Sequence, residues 1–371
     1  MELGKRSVED VEMNPEFWHK RKVLVTGHTG FKGSWLSLWL QALGAEIIGY
    51  SLAPPTEPSL FVLADVERGM RSIPGDIRDL KHLERVVSEH QPEIVFHLAA
   101  QSLVRSSYAD PVGTYATNVL GTAHVLEAVR ETPGVRAVVI VTTDKCYENL
   151  EDGRAYCETD RLGGFDPYSS SKASAELVTA AFRNCFFKSA KHGLLTGIGS
   201  ARAGNVIGGG DWAVDRLIPD VMRAVFAGKE VLVRNPHAVR PWQHVLDPLC
   251  GYLMLAEKLC QDPKLYAESW NFGPDESESV PVTVVLELLN GLWGPGLTWR
   301  PESDHLHHEA SYLKLDSSKA RTMLGWQPQW NLSRALEATV HWYKAQQSQQ
   351  DAGPLTLEQI RSYQNALSLP A

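Results

Sequence analysis

The chain has 371 residues, of which 43% are hydrophobic and 22% charged, a composition typical of a globular protein that buries a sizeable core. Its formal net charge of -8 argues against a broad surface for nucleic acid or for an acidic membrane. No apolar run is long enough to span a bilayer, and the charged N-terminus lacks the apolar core of a signal peptide.

The cysteines do not form a recognisable pattern. They are odd in number and scattered, without CxxC spacing: Cys146, Cys157, Cys185, Cys250 and Cys260. Neither a zinc site nor a disulfide framework is indicated, so a reducing, cytoplasmic compartment is expected. The chain also has 11 tryptophans, which either line a substrate cleft or fill the core.

The first half of the chain alternates predicted strands and helices. Apolar, β-branched runs predict strands at KVLVTG, EIIGYS, MRSIPGDIRD, EIVFHLAA, RAVVIVTT and LLTGIGSAR. Helical spacing predicts helices at SWLSLWLQALG, LKHLERVVSEHQ, TYATNVLGTAHVLEAVRE and DPYSSSKASAELVTAAFRNCFF. This alternation indicates βαβ units and an α/β fold with a Rossmann-type, doubly wound parallel sheet.

From residue 205 the sequence becomes richer in glycine, which indicates a second unit. We expect a Rossmann domain over residues 18–204, with a strand near 268–273 returning to its sheet. A smaller C-terminal α/β domain is expected over 205–345, with interruptions. The polar stretch QQSQQDAGP predicts a linker within 346–371, followed by a short C-terminal helix.

A glycine-rich loop follows the first predicted strand. VTGHTGFKG places Gly27, Gly30 and Gly33 between that strand and a helix, with GxxGxxG spacing rather than GxGxxG. Glycines let the backbone approach a pyrophosphate, and a helix N-terminus offers free N–H groups to it. In this position the loop predicts a dinucleotide site; the alternative is a tight turn without a ligand.

The second strand bears on which dinucleotide is bound. It ends GYSLAPP, without the acid that would hold the adenosine ribose, and no Lys or Arg follows before Arg68. NAD is therefore favoured over NADP, whose extra phosphate needs a cationic partner. Asp76, after the third strand, is a candidate adenine contact; it could instead cap the next helix, or do both.

Tyr168 and Lys172 form a candidate catalytic pair. The run YSSSK places them four residues apart, on one face of the predicted helix. A free tyrosine has a pKa of about 10, so lowering it by about three units needs roughly 4 kcal/mol of differential stabilisation. A neighbouring ammonium and a positively charged nicotinamide would both favour the phenolate.

From about Phe17 to Tyr343 the sequence resembles the extended short-chain dehydrogenase/reductase family. The resemblance rests on the glycine loop, on HLAA, on Thr143 after the fifth strand and on the Tyr168–Lys172 pair. It implies a Thr–Tyr–Lys catalytic core, a nucleotide-sugar substrate in the C-terminal domain, and a homodimer formed through a four-helix bundle. The residues expected to hold NAD are Gly27, Thr29, Gly30, Phe31, Lys32, Asp76, Ile77, Leu98, Ala99, Ala100, Thr117, Tyr168 and Lys172.

Thr143-Asp144-Lys145 separates this chain from relatives that only epimerise. Sugar 4,6-dehydratases carry an acid after this threonine because they expel a hydroxyl as water, and several have Thr-Asp-Glu there. Together with GHTGFKGSWLSLWL and RPWQHVLDPL, the lysine variant resembles the 4,6-dehydratases of a glucose nucleotide whose base is cytosine. Such lyases work in deoxysugar biosynthesis of the O-antigen and lipopolysaccharide type.

The resemblance implies a role for each catalytic residue. Tyr168 takes the proton of the hydroxyl on carbon 4, Thr143 hydrogen-bonds that oxygen, and Lys172 supports the phenolate. Asp144 protonates the hydroxyl that leaves carbon 6. Lys145 is the base at carbon 5 or, if it stays charged, a stabiliser of the enolate, because a free lysine has a pKa of about 10.4 and an adjacent acid keeps it high.

The substrate contacts are also implied by the resemblance. Asn205, Arg216 and Arg240 are expected at the nucleotide diphosphate, which suits the bidentate guanidinium. Gln101 and Arg105 are expected near the sugar, with Thr143. The cluster His305, His307 and His308 looks like a metal site, but this chemistry needs no metal, so we interpret these histidines as loop or nucleotide contacts.

Three alternatives remain open. A nucleotide-sugar 4-epimerase would neither release water nor remove the proton on carbon 5, and a dehydratase could also act on another nucleotide base. A silent NAD-binding regulator would keep only the fold. Intact Thr143, Tyr168 and Lys172 argue against this last alternative.

Overall fold

A computed structural model describes residues 14–189, 194–294, 297–302 and 310–367. Its strands are β1 (Lys22–Thr26), β2 (Glu46–Ser51), β3 (Arg71–Pro74), β4 (Ile94–His97), β5 (Ala137–Val141), β6 (Gly197–Ala203), β7 (Asn205–Ile207), β8 (Val231–Val233), β9 (Val239–His244), β10 (Ser269–Phe272), β11 (Ser279–Pro281) and β12 (Trp299–Pro301). Its α-helices are α1 (Pro15–Trp18), α2 (Phe31–Ala42), α3 (Leu60–Leu63), α4 (Leu80–His90), α5 (Val104–Ala109), α6 (Pro111–Tyr115), α7 (Gly121–Glu131), α8 (Pro167–Phe186), α9 (Leu217–Phe226), α10 (Leu246–Gln261), α11 (Pro263–Tyr266), α12 (Val282–Trp293), α13 (Leu332–Gln347) and α14 (Ala352–Leu367).

The main sheet contains seven strands in the order β10-β6-β5-β4-β1-β2-β3. All its pairs are parallel; Val25 in β1, for example, lies opposite Gly49 in β2 and Phe96 in β4. The strand order reverses between β1 and β4, so a crevice opens at the carboxyl ends of these strands. The predicted doubly wound, Rossmann-type sheet is therefore confirmed.

Two apolar cores cover the opposite faces of this sheet. Successive side chains of a strand point to opposite faces, and in β5 Val139 belongs to the first core and Val138 to the second. The first core contains most of the large aromatic residues. Among its fully buried side chains are Trp18, Trp35, Trp39, Trp270, Trp326 and Trp342. Most of the tryptophans are thus core residues; Trp212 and Trp242 line the cleft described below.

The chain returns to the main sheet through β10, which lies beside β6 with Trp270 opposite Ala201. Two smaller sheets are formed by residues beyond 204. One has the order β11-β9-β7 and the other pairs β12 with β8. These smaller sheets stand beyond the carboxyl ends of the main strands and form the far wall of the crevice.

The C-terminal segment differs from the expected linker and short helix. Only residues 348–351 separate α13 from α14, which is 16 residues long. Asp351 accepts a hydrogen bond from the Gly353 N–H at 2.9 Å, and Pro354 lies in the first turn, where its missing N–H costs nothing. The run QQSQQDAGP therefore spans the end of α13, the four-residue connection and the first residues of α14.

Candidate active site

A cleft with a volume of about 900 Å³ opens at the carboxyl ends of the central strands. The residues that the sequence assigned to catalysis, NAD, the diphosphate and the sugar all line it. They are Gly27, Thr29, Gly30, Phe31, Lys32, Asp76, Ile77, Leu98, Ala99, Ala100, Gln101, Arg105, Thr117, Thr143, Asp144, Lys145, Tyr168, Lys172, Asn205, Arg216 and Arg240. One continuous site thus contains residues from both halves of the chain.

The glycine loop packs tightly against its own backbone. Gly27 has a φ of 76°, and a Cβ there would meet the Ala99 nitrogen at 2.6 Å. A Cβ on Gly33 would meet the Gly27 oxygen at 2.1 Å. Gly30 precedes α2 directly, and a Cβ there would have only an ordinary contact. The loop is therefore closed on one side by protein and open at the helix N-terminus, as a pyrophosphate site requires.

At the end of β3, Asp76 does not cap the next helix. The cap of α4 is Asp79, whose carboxylate accepts from the His82 N–H at 3.0 Å, so the capping interpretation of Asp76 is wrong. Asp76 instead pairs with Arg78 at 2.6 Å, and this hydrogen bonding lowers the pKa of Asp76. Arg78 also lines the cleft. The sequence did not identify it, because an arginine two residues from an aspartate carries no signal of a binding role.

His28 and Lys32 in the glycine loop point to different places. The His28 ring bonds to the Ser72 hydroxyl at 2.9 Å and packs against Phe61, away from the cleft lining. Burial lowers the pKa of His28 to about 4. Lys32 lies in the cleft, and burial, assisted by the positive charge of Arg216, lowers the pKa of its ammonium to about 7.

Tyr168 and Lys172 lie on the cleft side of α8, which begins with the Asp166 cap and Pro167. Burial raises the pKa of the Tyr168 phenol to about 12, against a hydrogen bond with Thr143. Burial lowers the pKa of Lys172 to about 8, and its ammonium donates to the Val141 carbonyl at 3.1 Å. The protein's own groups therefore disfavour the phenolate, contrary to the expected effect of the neighbouring ammonium.

The turn after β5 places the remaining catalytic candidates beside Tyr168. The Thr143 hydroxyl accepts from the Lys145 N–H at 3.3 Å and donates to Asp144 Oδ1 at 3.0 Å. Asp144 is only 2% exposed, and its Oδ2 atom has no hydrogen-bond partner in the described part of the chain. Burial raises the pKa of this carboxyl, although the Lys145 charge opposes the rise. An acid held this way favours its protonated form more than a free aspartic acid does.

Arg216 and Arg240 enter the cleft from the other side. Arg216 forms an ion pair with Asp211 at 3.0 Å and donates to the Ser102 hydroxyl at 2.9 Å. Arg240 is buried, with one nitrogen donating to the Val239 carbonyl at 2.9 Å. Both cations are thus held by the protein in fixed positions, which suits recognition of a diphosphate.

Gln101 and Arg105 form the rim near the predicted sugar position. The Gln101 amide bonds to the Leu103 backbone and, at 3.0 Å, to the Thr114 hydroxyl, so it shapes its own loop. Arg105 pairs with Asp215 at 3.4 Å and with Glu302 at 3.3 Å. Ion pairs therefore connect the two walls of the cleft at its mouth.

Arg202, at the end of β6, is not in the cleft although the sequence places it beside Asn205. Its side chain is 2% exposed and pairs with Glu176 at 2.8 Å. Sequence reasoning missed Arg234, which lines the cleft and donates to the Asp215 carbonyl at 2.8 Å. A single arginine after a short strand gives no signal of that position.

Within the described residues no group of His, Cys, Asp or Glu is arranged to hold a metal ion. His305, His307 and His308 lie outside the described residues. No helix in the described ranges has both the length and the apolar character needed to cross a membrane.

Comparisons with known proteins agree with this geometry. Residues 24–269 match the family model of GDP-mannose 4,6 dehydratase. A CDP-glucose 4,6-dehydratase of Salmonella typhimurium is 48% identical over 95% of this chain and 99% of its own length. A dTDP-glucose 4,6-dehydratase of Xanthomonas campestris is 28% identical over 88% of this chain and 93% of its own. The NAD complex of a Thermus thermophilus UDP-glucose 4-epimerase aligns with a TM-score of 0.73 and 25% identity, covering 87% of this chain and 99% of that one.

The parallel sheet, the glycine loop and the Thr143–Tyr168–Lys172 arrangement define a short-chain dehydrogenase/reductase of the extended type. Within that class the chain belongs to the family of nucleotide-sugar 4,6-dehydratases described by the GDP-mannose 4,6 dehydratase model.

Proposed function

We propose that this protein is an NAD-dependent lyase that converts CDP-D-glucose to CDP-4-dehydro-6-deoxy-D-glucose and water. The observation that carries the proposal is Asp144, a buried acid with a raised pKa next to Thr143, which an epimerase does not need. The 48% identity to a CDP-glucose 4,6-dehydratase supports cytosine as the base. The domain assignment follows: the Rossmann domain (18–204) binds NAD, and the smaller domain (205–345) binds the nucleotide sugar.

The residues of the cleft fit NAD. The open N-terminus of α2 would hold the pyrophosphate, Asp76 would contact the adenosine, and Lys172 would bind the nicotinamide ribose. When bound, NAD accepts a hydride from carbon 4 of the sugar and returns it to carbon 6. The Arg78 guanidinium near Asp76 is neutralised by that carboxylate, so it is a poor partner for the extra phosphate of NADP.

The protein's own groups then move the protons. Tyr168 removes the proton of the hydroxyl on carbon 4 while Thr143 donates a hydrogen bond to the same oxygen. The ketone that results makes the proton on carbon 5 acidic. Asp144 gives its proton to the hydroxyl that leaves carbon 6, because its burial keeps it protonated to higher pH than a free acid.

Lys145 is assigned the removal of the proton on carbon 5 and the return of a proton to that carbon when the hydride reaches carbon 6. It follows Asp144 directly, lies on the same turn and lines the cleft. If it stays charged, it stabilises the enolate oxygen instead. Asn205, Arg216 and Arg240 are assigned to the diphosphate, and Gln101, Arg105 and Thr143 to the sugar.

A substrate panel tests this function. The purified protein is incubated with NAD and, in turn, with the glucose nucleotides of cytosine, thymine, uracil and guanine. A 4-keto product absorbs in alkali and is expected first with CDP-glucose. An epimerase would form a galactose nucleotide without that absorbance, and a silent NAD-binding protein would leave every nucleotide unchanged.

We also propose a homodimer through a four-helix bundle. Apolar side chains are exposed on adjacent helices: Val112 is 78% exposed on α6 and Leu177 is 60% exposed on α8. Helices α6 and α8 pack on each other, so a second copy would add two more. Leu177→Glu should convert the dimer to a monomer in light scattering, whereas Leu265→Glu, at an exposed site on α11, should not.

A cytoplasmic location and a step in deoxysugar biosynthesis of the O-antigen and lipopolysaccharide type complete the proposal. All five cysteines are free thiols, which suits a reducing compartment. The 4-keto group of the product is a reactive site at which later enzymes could reduce, transaminate or deoxygenate the sugar.

A further inference from the structure

A buried polar cluster lies directly behind the catalytic turn and is used by none of the steps above. Its centre is the ion pair between Glu176 on α8 and Arg202 at the end of β6, with side chains 1% and 2% exposed. The Glu176 carboxylate also accepts from the Ser200 hydroxyl at 2.6 Å. A buried ion pair of this kind is stable only when further hydrogen bonds satisfy it.

This cluster holds the catalytic turn on both flanks. Before the turn, the Thr142 hydroxyl donates to Glu176 Oε1 at 2.5 Å. After the turn, Arg202 donates to the Tyr147 hydroxyl at 2.8 Å, and that hydroxyl donates to Asn271 at 2.7 Å. Thr143, Asp144 and Lys145 lie between these two anchors, followed by the buried Cys146.

The cluster also connects the turn to the helix that carries the other catalytic residues. Glu176 lies one helical turn beyond Lys172 and two beyond Tyr168 on α8. The Lys172 ammonium binds the Val141 carbonyl, one residue before Thr142, so the two elements are joined again there. The relative position of α8 and the turn is thus fixed through buried side chains rather than by the backbone alone.

We infer that Glu176, Arg202 and Thr142 are positioning residues that hold Thr143 and Asp144 in register with Tyr168 and Lys172. This inference rests on the proposed function, because the register is that of a hydride-transfer and dehydration site. None of the three is assigned contact with the reacting atoms. Loss of the register should slow the chemical steps and leave substrate binding largely intact, since the diphosphate contacts belong to other elements.

Thr142→Val is the sharpest test, because it removes only the hydroxyl that ties the turn to Glu176 and leaves the ion pair in place. We expect kcat to fall by at least about ten-fold, since a misplacement of 1 Å can cost about a hundred-fold. KM should stay within about two-fold, as expected when only transition-state interactions are lost. Thr142→Ser restores the hydroxyl and should recover most of the lost kcat.

Thr179→Val is the matched control. Thr179 is buried on the same helix, but its hydroxyl donates at 2.7 Å to the Ala175 carbonyl of that helix. It should therefore keep the parental kcat while losing a comparable hydrogen bond. Tyr147→Phe cuts the second anchor and should also lower kcat, which keeps the inference testable if the Thr142 variant fails to fold.

The outcomes separate this inference from the proposed function. If the parent protein dehydrates none of the glucose nucleotides, the proposed function fails. If the parent is active and both Thr142→Val and Tyr147→Phe keep the kcat of Thr179→Val, the positioning role is overturned alone. A fall in kcat that Thr142→Ser does not restore would also overturn it.

Discussion

At the scale of single residues, Tyr168 illustrates how burial alone works against catalysis. Burial raises the pKa of its phenol to about 12, whereas a hydrogen bond with Thr143 and the positive charge of Arg216 oppose that rise. The positive charge of the oxidised nicotinamide would act in the same direction as these two groups. Bound NAD would therefore favour the phenolate that the proposed first step requires.

Tyr168→Phe should remove the base of the first step while leaving the fold and the substrate contacts in place. We expect kcat to fall by roughly a hundred- to ten-thousand-fold, the usual range for the loss of a general base. Steady-state kinetics with added NAD measure this change, and the thermal midpoint of each protein serves as the control. A variant with a near-parental rate would remove Tyr168 from the mechanism.

Lys145→Ala should divide the reaction at the keto intermediate. Oxidation at carbon 4 needs Tyr168, Thr143 and Lys172, which remain, so reduced nicotinamide should accumulate and decay slowly. In heavy water, deuterium should enter at carbon 5 much more slowly than in the parent. Release of dehydrated product with parental exchange at carbon 5 would contradict the role of Lys145.

Asp144→Asn provides the contrast. The amide keeps the shape of the acid but has no proton to give, so loss of water should stall while exchange at carbon 5 continues. Because burial raises the pKa of Asp144, the dehydration rate of the parent should fall as pH rises through that raised pKa. A stopped-flow pH profile of product release measures this decrease in the dehydration rate. The Asn variant should not show the decrease.

Local patterns were sufficient to predict the residues whose spacing is set by one element. The glycine loop and the pair Tyr168 and Lys172 each depend on a single turn or helix. The Glu176–Arg202 ion pair joins side chains that are distant in sequence. No periodicity records such a contact, so the burial of Arg202 beside Glu176 could not be predicted from the sequence.

At the scale of elements, α14 is held by buried polar contacts as well as by apolar packing. The Tyr363 hydroxyl donates to Asp247 Oδ1 at 2.7 Å, and Trp342 Nε1 donates to the Thr356 hydroxyl at 3.0 Å. The Asp247 carboxylate also accepts from the Gln329 N–H at 2.8 Å. Helix α14 is therefore part of the core, whereas the sequence predicted only a short helix after a linker.

The stability of this arrangement should depend on pH. Burial raises the pKa of Asp247 to about 7 from 3.8, so the folded state favours its protonated form. The contribution of Asp247 to the stability of the folded state is fully present below the pKa of this residue in the unfolded chain. It is lost as pH rises through about 7, the pKa in the folded protein. The free energy of unfolding should thus decrease by a few kcal/mol between pH 4 and pH 8, because each tenfold difference in proton affinity between the two states corresponds to roughly 1.4 kcal/mol.

Asp247→Asn should remove that part of the pH dependence. The asparagine carbonyl can still accept from Tyr363 and Gln329, and it carries no titrating proton. Thermal midpoints of parent and variant, measured from pH 5 to pH 8, should converge or cross as pH rises. Glu257, whose pKa burial also raises to about 7, contributes a separate part. Parallel curves for parent and variant would contradict the assignment.

Strands were predicted more reliably than helix boundaries. The buried strands are continuous apolar runs closed by glycine or polar residues, which leaves little ambiguity. The helix predicted from TYATNVLGTAHVLEAVRE is interrupted by a π-helical segment at Ala116–Leu120. A π-helical segment has one extra residue in its turn. Within this segment the Asn118 amide donates a hydrogen bond to the Ser171 hydroxyl at 2.8 Å, a tertiary contact that the helical periodicity does not indicate.

At the scale of the whole molecule, several cationic side chains meet in the central part of the cleft. Lys172 and Arg216 both act electrostatically on Lys32, and the oxidised nicotinamide would add a further positive charge. We expect the purified protein to be only partly loaded with NAD and to be stimulated by added NAD. Full occupancy after extensive dialysis, without stimulation, would contradict this.

The same property should depend on pH. Lys32 loses its charge above a pKa of about 7, so repulsion of the nicotinamide weakens as pH rises. NAD retained after dialysis should therefore be greater at pH 8 than at pH 6, as measured by absorbance of the released cofactor. In Lys32→Met this difference should disappear.

The position of α14 late in the chain has a consequence for biosynthesis. This helix covers α2, with Tyr363 against Trp39 at 5.6 Å between ring centroids, although the two elements are more than 300 residues apart. Strand β10, at the edge of the main sheet, also follows β6 only after a long excursion. The glycine-loop half therefore leaves the ribosome well before α14 is made, and until then Trp39 lacks the cover that this helix gives it.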